Sequence, residues 1–332
     1  METITSRENA KIKYACAVRD SEKQRAADGL FFAEGPKLCL ELAKSCTPRA
    51  MYATAAALAK TPELAQFDPA EIAPHVAEKL SGTKSNQGVF ALFETPVPPA
   101  DTLDTARRIL MLEGVQDPGN VGTLLRSAAA FGFDAVVLGP GCASPLSPKT
   151  LRSSMGAAGR LPTLHSDDLP AALAALRARG VTTLATALYR SRPLDEAGND
   201  FPGGLCVVIG SEGQGLTDRT VEACDMAVRI PMTDRVESLN AAVAGSVLLW
   251  QFQGCVKTQI QAYGGGVGNH GQNTCLALAG GCRRLGLPIC AGAADALPRP
   301  GGAVRRPACR DRGPARLPDA PRAGTAAGHD AL

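Results

Sequence analysis

Between Arg108 and Phe252, short apolar runs alternate with segments whose apolar residues recur at helical spacing. The runs are ILMLE (109–113), AVVLG (135–139), TTLAT (182–186), LCVVIG (205–210) and AVRI (227–230). They are too short and too apolar on both faces for an exposed antiparallel sheet. Between them lie NVGTLLRSAAAFG, DDLPAALAALRARG, TDRTVEACD and SLNAAVAGSVLLWQF, each with a helical period. Strand and helix in alternation predict an α/β fold with a parallel sheet covered on both faces.

The flanks differ. Residues 1–95 mix basic helical stretches with short apolar runs and end in GVFALFE, which reads as a strand. TPVPPADTLDT follows, and residues 96–107 are expected to be a linker, because Pro blocks regular hydrogen bonding there. An α/β domain is then expected over 108–254. Beyond it, residues 255–332 are dominated by Gly, Ala, Pro and Arg without any sustained period. Such a low-complexity tail cannot bury enough apolar surface to offset its ordering entropy, so disorder is expected. Its composition also resembles GC-rich DNA read out of frame, which suggests a frameshift near Gly254; a basic nucleic-acid arm is the alternative.

Composition narrows the class. The 332 residues are 45% hydrophobic and 20% charged, as in a globular protein. Aromatics make up 4%, leaving few platforms for stacking bases. No apolar stretch reaches membrane-spanning length, and the opening METITSRENAKIKYACAVRD has no signal-peptide core. A cytoplasmic location is expected. Ten Lys/Arg against four Asp/Glu fall after residue 254, so the formal charge of +3 comes from the tail. Net charge is therefore no argument for nucleic acid. Five of the 11 cysteines lie in the same tail, and the chain has four histidines and no C-x-x-C pair. This fits reduced thiols better than a zinc site or a disulfide framework, and no metal is expected.

Three segments place polar or Gly residues just beyond an expected strand, where open α/β sheets bind ligands. In EGVQDPGNVGTLLRSAAAFG (113–132), Asn120 stands where a helix N-cap belongs and Arg126 falls off the apolar face. Read alone, it is a capped helix with a solvated arginine. In VVIGSEGQGLTD (207–218), Gly210, Gly213 and Gly215 permit positive φ or close approach to a ligand. The spacing is neither a dinucleotide fingerprint nor a P-loop. In RIPMTDRVESLNAAVAGSVLLW (229–250), Ser238 and Asn240 stand at the mouth of a small-residue helix and could simply cap it.

In this order the three segments resemble the signature motifs of the SpoU (TrmH-type) family of RNA ribose 2′-O-methyltransferases. The motifs are N-x-G-x-x-x-R, then G-S-E-G-x-G-L, then I-P-M followed by S-L-N-A-A-V-A. The first 95 residues resemble the RNA substrate-binding α/β domain often attached to it, through NAKIKYACAVRD, FFAEGPKLCLELA and SGTKSNQGVFAL. The resemblance implies a trefoil knot in a mostly parallel sheet, although general folding rules disfavour knots. It implies an S-adenosyl-L-methionine pocket at Thr186, Gly210, Ile230 and Leu239, and a homodimer through the knot region.

Arg126 is the implied central catalytic residue, with Asn120, Glu212, Ser238 and Asn240 orienting it, the ribose and the cofactor. An arginine base is chemically awkward because its pKa lies above ~12. Arg126 either loses its proton in a dry pocket or clamps the phosphate beside the ribose, the version favoured here. RNA is the implied partner, ribosomal rather than transfer RNA. Lys11, Lys13, Arg19, Lys23, Arg25, Lys37, Lys149 and Arg152 are candidate phosphate contacts. A non-catalytic ribosome-assembly protein of the same fold is the alternative. A nicotinamide oxidoreductase is disfavoured because no G-x-G-x-x-G turn follows a first strand.

Overall fold

The computed structural model describes residues 3–253, apart from Lys84, Ser85, Asn199 and Glu237. The expectations for residues 255–332 lie outside the described residues.

The first sheet is mixed. Its strands β1 (Thr3–Ile4), β2 (Leu30–Glu34), β3 (Pro48–Ala53), β4 (Ala70–Ile72) and β5 (Val89–Glu94) lie in the order β1-β4-β3-β5-β2. Only β5 runs antiparallel to its neighbours. Helices α1 (Ala10–Asp20), α2 (Glu22–Asp28), α3 (Pro36–Leu42), α4 (Ala55–Lys60) and α5 (Pro74–Leu80) complete this half. Alternation along β2 and β5 sends side chains to both faces. Phe32 and Phe90 pack with Ile12 and Val18 of α1 and Val76 and Leu80 of α5. Phe31 and Phe93, stacked at 5.5 Å, face the other way, toward Leu38 and Leu42 of α3.

The second sheet is parallel throughout. It comprises β6 (Arg108–Leu112), β7 (Ala135–Leu138), β8 (Thr163–His165), β9 (Thr182–Thr186), β10 (Arg192–Pro193), β11 (Leu205–Ile209) and β12 (Met226–Arg229). Their order is β10-β12-β9-β11-β6-β7-β8. All five expected strands are present; β8 and β10 were not expected. Leu110, Val136 and Val207 join one core, with Val121, Leu124 and Leu125 of α7 (Pro118–Ala130), Leu151 of α8 (Pro148–Ser154) and Leu248 of α11 (Ala241–Gln251). Ile109, Val137 and Val208 join the other, with Leu173 and Leu176 of α9 (Leu169–Ala178), beside α10 (Asp218–Ala223).

One helix start differs from expectation. Asp117, not Asn120, caps α7: its carboxylate accepts from Asn120 N at 3.1 Å. Pro118 at the first helical position sets this start, since it has no N–H to satisfy and its φ is already helical. Of the two caps expected for α11, Asn240 takes the position, accepting from Ala242 N and Val243 N at 3.0 and 3.2 Å. The stretch read as a linker holds a single turn, α6 (Thr102–Thr105), whose buried Thr102 donates to Pro99 O at 2.7 Å.

Close approach of α11 depends on Gly245. A Cβ there would lie 2.3 Å from Leu124 Cδ2 and 2.6 Å from Ile209 Cδ1. Cys16, Cys39, Cys46, Cys142, Cys206 and Cys224 are unpaired, and burial pushes the Cys224 thiol up to about 12. No helix among the described residues is long and apolar enough to cross a membrane.

Candidate cofactor and catalytic site

Strands β9, β11 and β12 end at one level, and their carboxyl ends open into a cleft of about 480 Å³. Residues 186–189, 210–216 and 228–230 form its walls, and Ala241, Ala244 and Leu248 of α11 lie along it. Thr186, Gly210, Ile230 and Leu239 all line this cleft, as do Glu212 and Ser238. Leu188, Tyr189 and Met232 are exposed at its edge.

The wall at 210–216 folds back on itself. Ser211 and Gly215 exchange both backbone hydrogen bonds at 3.1 Å, and Gly215 takes φ +69°. Gly210 packs so tightly inside this turn that a Cβ would sit 2.2 Å from the Gly215 carbonyl carbon. Only glycine fits against main chain at that distance.

Glu113, at the end of β6, braces the same turn. Its carboxylate accepts from Thr217 N, Thr217 Oγ1 and Thr220 Oγ1, each at 3.0 Å. Thr217 in turn caps α10. The sequence reading assigned Glu113 no role; its signal was an acid standing directly at a strand end. Across the cleft, Tyr189 donates to Asp218 Oδ1 at 2.8 Å, which holds the phenol above its usual range.

Three of the expected catalytic side chains form a chain of hydrogen bonds. Asn240 Nδ2 donates to Asn120 Oδ1 at 3.1 Å, and Asn120 Nδ2 donates to Glu212 Oε1. Because Asp117 takes over the cap of α7, the Asn120 amide is left to link α11 to the Gly-rich turn. Lys149 donates to Asp117 Oδ1 at 2.6 Å and holds that carboxyl below its ordinary value.

The SpoU rRNA methylase family profile matches residues 107–250, and an MRM3-like substrate-binding domain matches residues 9–91. The 23S rRNA (guanosine(2553)-2'-O)-methyltransferase RlmP of Bacillus subtilis is 32% identical over 264 residues, covering 76% of this chain and 100% of that protein. The chain belongs to the SpoU rRNA methylase family.

Solved structures agree with this SpoU-family assignment. A TrmH-family protein from Porphyromonas gingivalis has 33% identity and a TM-score of 0.64, covering 74% of this chain and 98% of its own. An AdoMet-bound rRNA methyltransferase from Sinorhizobium meliloti has 25% identity and a TM-score of 0.66, covering 75% and 96%.

Within one SpoU-family chain, Arg126 stands apart from the cleft. It is exposed on α7, six residues and about 9 Å of helix rise beyond Asn120. It has no hydrogen-bond or ion-pair partner among the described residues. At helical spacing it neighbours Thr123, one turn back on α7. Ser127 meets Ser246 of α11 at 2.8 Å. Beside them, Thr123, Val243, Val247 and Trp250 border an apolar groove of about 340 Å³.

The basic residues near the start are not one patch. Arg19 donates to the carbonyls of Lys79, Leu80 and Ser81, closing the end of α5. Arg25 is buried and does the same for Val18 and Arg19 at the end of α1. Both guanidiniums satisfy helix carbonyls. Lys13 pairs with Glu8 at 2.7 Å, whereas Lys23 and Lys37 are exposed.

Proposed function

We propose that this chain transfers a methyl group from S-adenosyl-L-methionine to a ribose 2′-hydroxyl of ribosomal RNA, acting as a cytoplasmic homodimer. The observation that carries it is the backbone-walled cleft with the Asn240–Asn120–Glu212 chain at its side. The cleft falls within the usual range for small-molecule sites, about 300–1,000 Å³. Its Gly210 turn is a cradle that any Cβ would fill, which suits a ligand held by main chain. Backbone at Thr186, Gly210, Ile230 and Leu239 would hold the cofactor, with Glu212 and Ser238 near its methionine end. Bound there, S-adenosyl-L-methionine supplies an activated methyl on a sulfonium.

The protein's own task is to orient and activate a poor nucleophile. Arg126 keeps its charge and grips the phosphate beside the target ribose, and that phosphate takes the hydroxyl proton. Asn120 and Asn240 hold Glu212 in place at the cleft. In keeping with the family, the chain is threaded into a knot around this cleft.

Exposed Val243, Val247 and Trp250 support pairing of two copies on this face. Arg126 lies one helical turn from Thr123 at the border of this groove and away from its own cleft, which favours its reaching the cleft of the second copy. Ribosomal RNA is preferred over transfer RNA because the Bacillus subtilis relative is named for 23S rRNA. Mapping ribose methylation across total RNA, with and without the gene, tests the reading. One ribosomal 2′-O-methyl group should vanish; an unchanged map would remove the proposal.

A further inference from the structure

Glu34 is the most enclosed acidic side chain in the ion pairs among the described residues, 6% exposed at the end of β2. Burying a carboxylate requires partners. Glu34 has them from two places. Ser81 Oγ and Thr83 Oγ1 donate to Oε1 at 2.6 and 2.9 Å, and Gly82 N donates to Oε2 at 3.1 Å. Arg152 of α8 brings Nη1 to 3.9 Å from Oε2. That Nη1 is itself buried, with no hydrogen-bond partner among the described residues. A carboxylate of the first sheet thus joins its own 81–83 segment to a helix of the second.

The two ends of this link lead toward two clefts. Beyond the 81–83 segment, Asn86, Gln87 and Gly88 border a cleft of about 710 Å³ with Thr54 and Lys60. On the other side, α8 grips the start of α7. Lys149 binds Asp117, and Ser153 Oγ donates to Pro118 O at 3.2 Å. A Cβ at Gly122 would lie 1.9 Å from Ser153 Oγ, so the two helices pack at a distance that only glycine permits. From there Asn120 leads to Glu212 and the cofactor cleft.

We propose that Glu34 is a positioning residue for RNA. It fastens the 81–83 segment of the first half to Arg152 of the second, so that a single RNA meets both halves in one preset arrangement. This rests on the reading of the chain as an RNA methyltransferase. Holding two contact surfaces in fixed relation spares the ordering cost that binding would otherwise meet.

A double-mutant cycle on the full-length protein tests it, with Glu34→Gln, Arg152→Gln and the pair. The probe is an unmodified large-subunit ribosomal RNA transcript, and its Kd is read by fluorescence anisotropy. Each single variant should weaken RNA binding about tenfold, and the double variant no further. At saturating RNA, kcat for Glu34→Gln should stay within about twofold of the parent, and cofactor affinity should not move. A normally melting Glu34→Gln protein that binds RNA like the parent would overturn the proposal. So would multiplicative losses, which would make Arg152 a direct phosphate contact. If Glu34→Gln fails to fold, Arg152→Gln, altered at a half-exposed side chain, decides through the same Kd. A parent protein that binds the transcript but transfers no methyl would sink the methyltransferase reading and leave this one standing.

Discussion

Asn240 uses both ends of its amide: Oδ1 caps α11 while Nδ2 donates to Asn120 Oδ1 at 3.1 Å. One side chain therefore starts a helix and holds the Asn120 amide at the side of the cleft. Asn240→Asp keeps the cap and loses the donor. Its melting temperature should stay near the parent's, while kcat falls at least roughly tenfold. Asn240→Ala should lose about 1 kcal/mol of stability as well. Full activity in the Asp variant would disconnect the Asn120 link from catalysis.

Gly210→Val sets a side chain against main chain at Gly215. Overpacking of this kind costs about 1–3 kcal/mol. Cofactor affinity should fall by roughly tenfold to a hundredfold, as read by isothermal titration. Unchanged affinity would mean that the turn does not hold the cofactor.

Arg126→Ala should lower methyl transfer by at least roughly a hundredfold and leave cofactor affinity within a few-fold. If the site is completed across two copies, mixing Arg126→Ala with Gly210→Val protein should restore activity. The first variant keeps an intact cleft and the second an intact arginine. Mixed subunits that exchange yet stay inactive would place both functions in one chain.

Trp250 is 52% exposed on the apolar face of α11. Trp250→Glu should yield a folded monomer by sedimentation, with methyl transfer lost. A dimer that survives this charge would locate the interface elsewhere.

Asp225 predicts a pH effect. Burial alone would raise its carboxyl, but bonds from Thr183 N and Oγ1, both at 2.9 Å, and Arg177 Nε at 2.7 Å outweigh it and lower the value. A carboxyl lowered by folding stabilises fully above its unfolded value, about 3.9, and loses that contribution as pH falls through the lower folded one. Parent and Asp225→Asn should therefore differ most in melting temperature above about pH 5 and converge in stronger acid. A gap that widens with acid would have the wrong sign.

Five strands of the second sheet were legible because each is a mostly apolar run of four or five residues with no exposed position. Strands β8 and β10 were not, being three and two residues long, with Arg192 and Pro193 forming the second. The helix start at 117–120 misled because Asp and Asn both cap well, and Pro118 decided between them. Arg19 and Arg25 read as a surface charge run because their carbonyl partners are set by the packing of α1 against α2 and α5. Glu113 was overlooked for a similar reason: Thr217 and Thr220 lie about a hundred residues away and arrive only through the sheet. The cleft-lining glycine and its neighbours were legible through motif order, whereas the distance of Arg126 from its own cleft was not.

One apolar core runs without a break from Phe31 and Leu42 of the first sheet to Ala158, Leu161 and the strands of the second. Gly159 presses on it, since a Cβ there would lie 2.6 Å from Leu42 Cδ2. Excising either half at residues 96–107 would lay bare a sticky seam, so truncated versions should clump where the intact chain stays dispersed. Evolution could swap RNA-reading modules onto this catalyst only together with the surface that seals it.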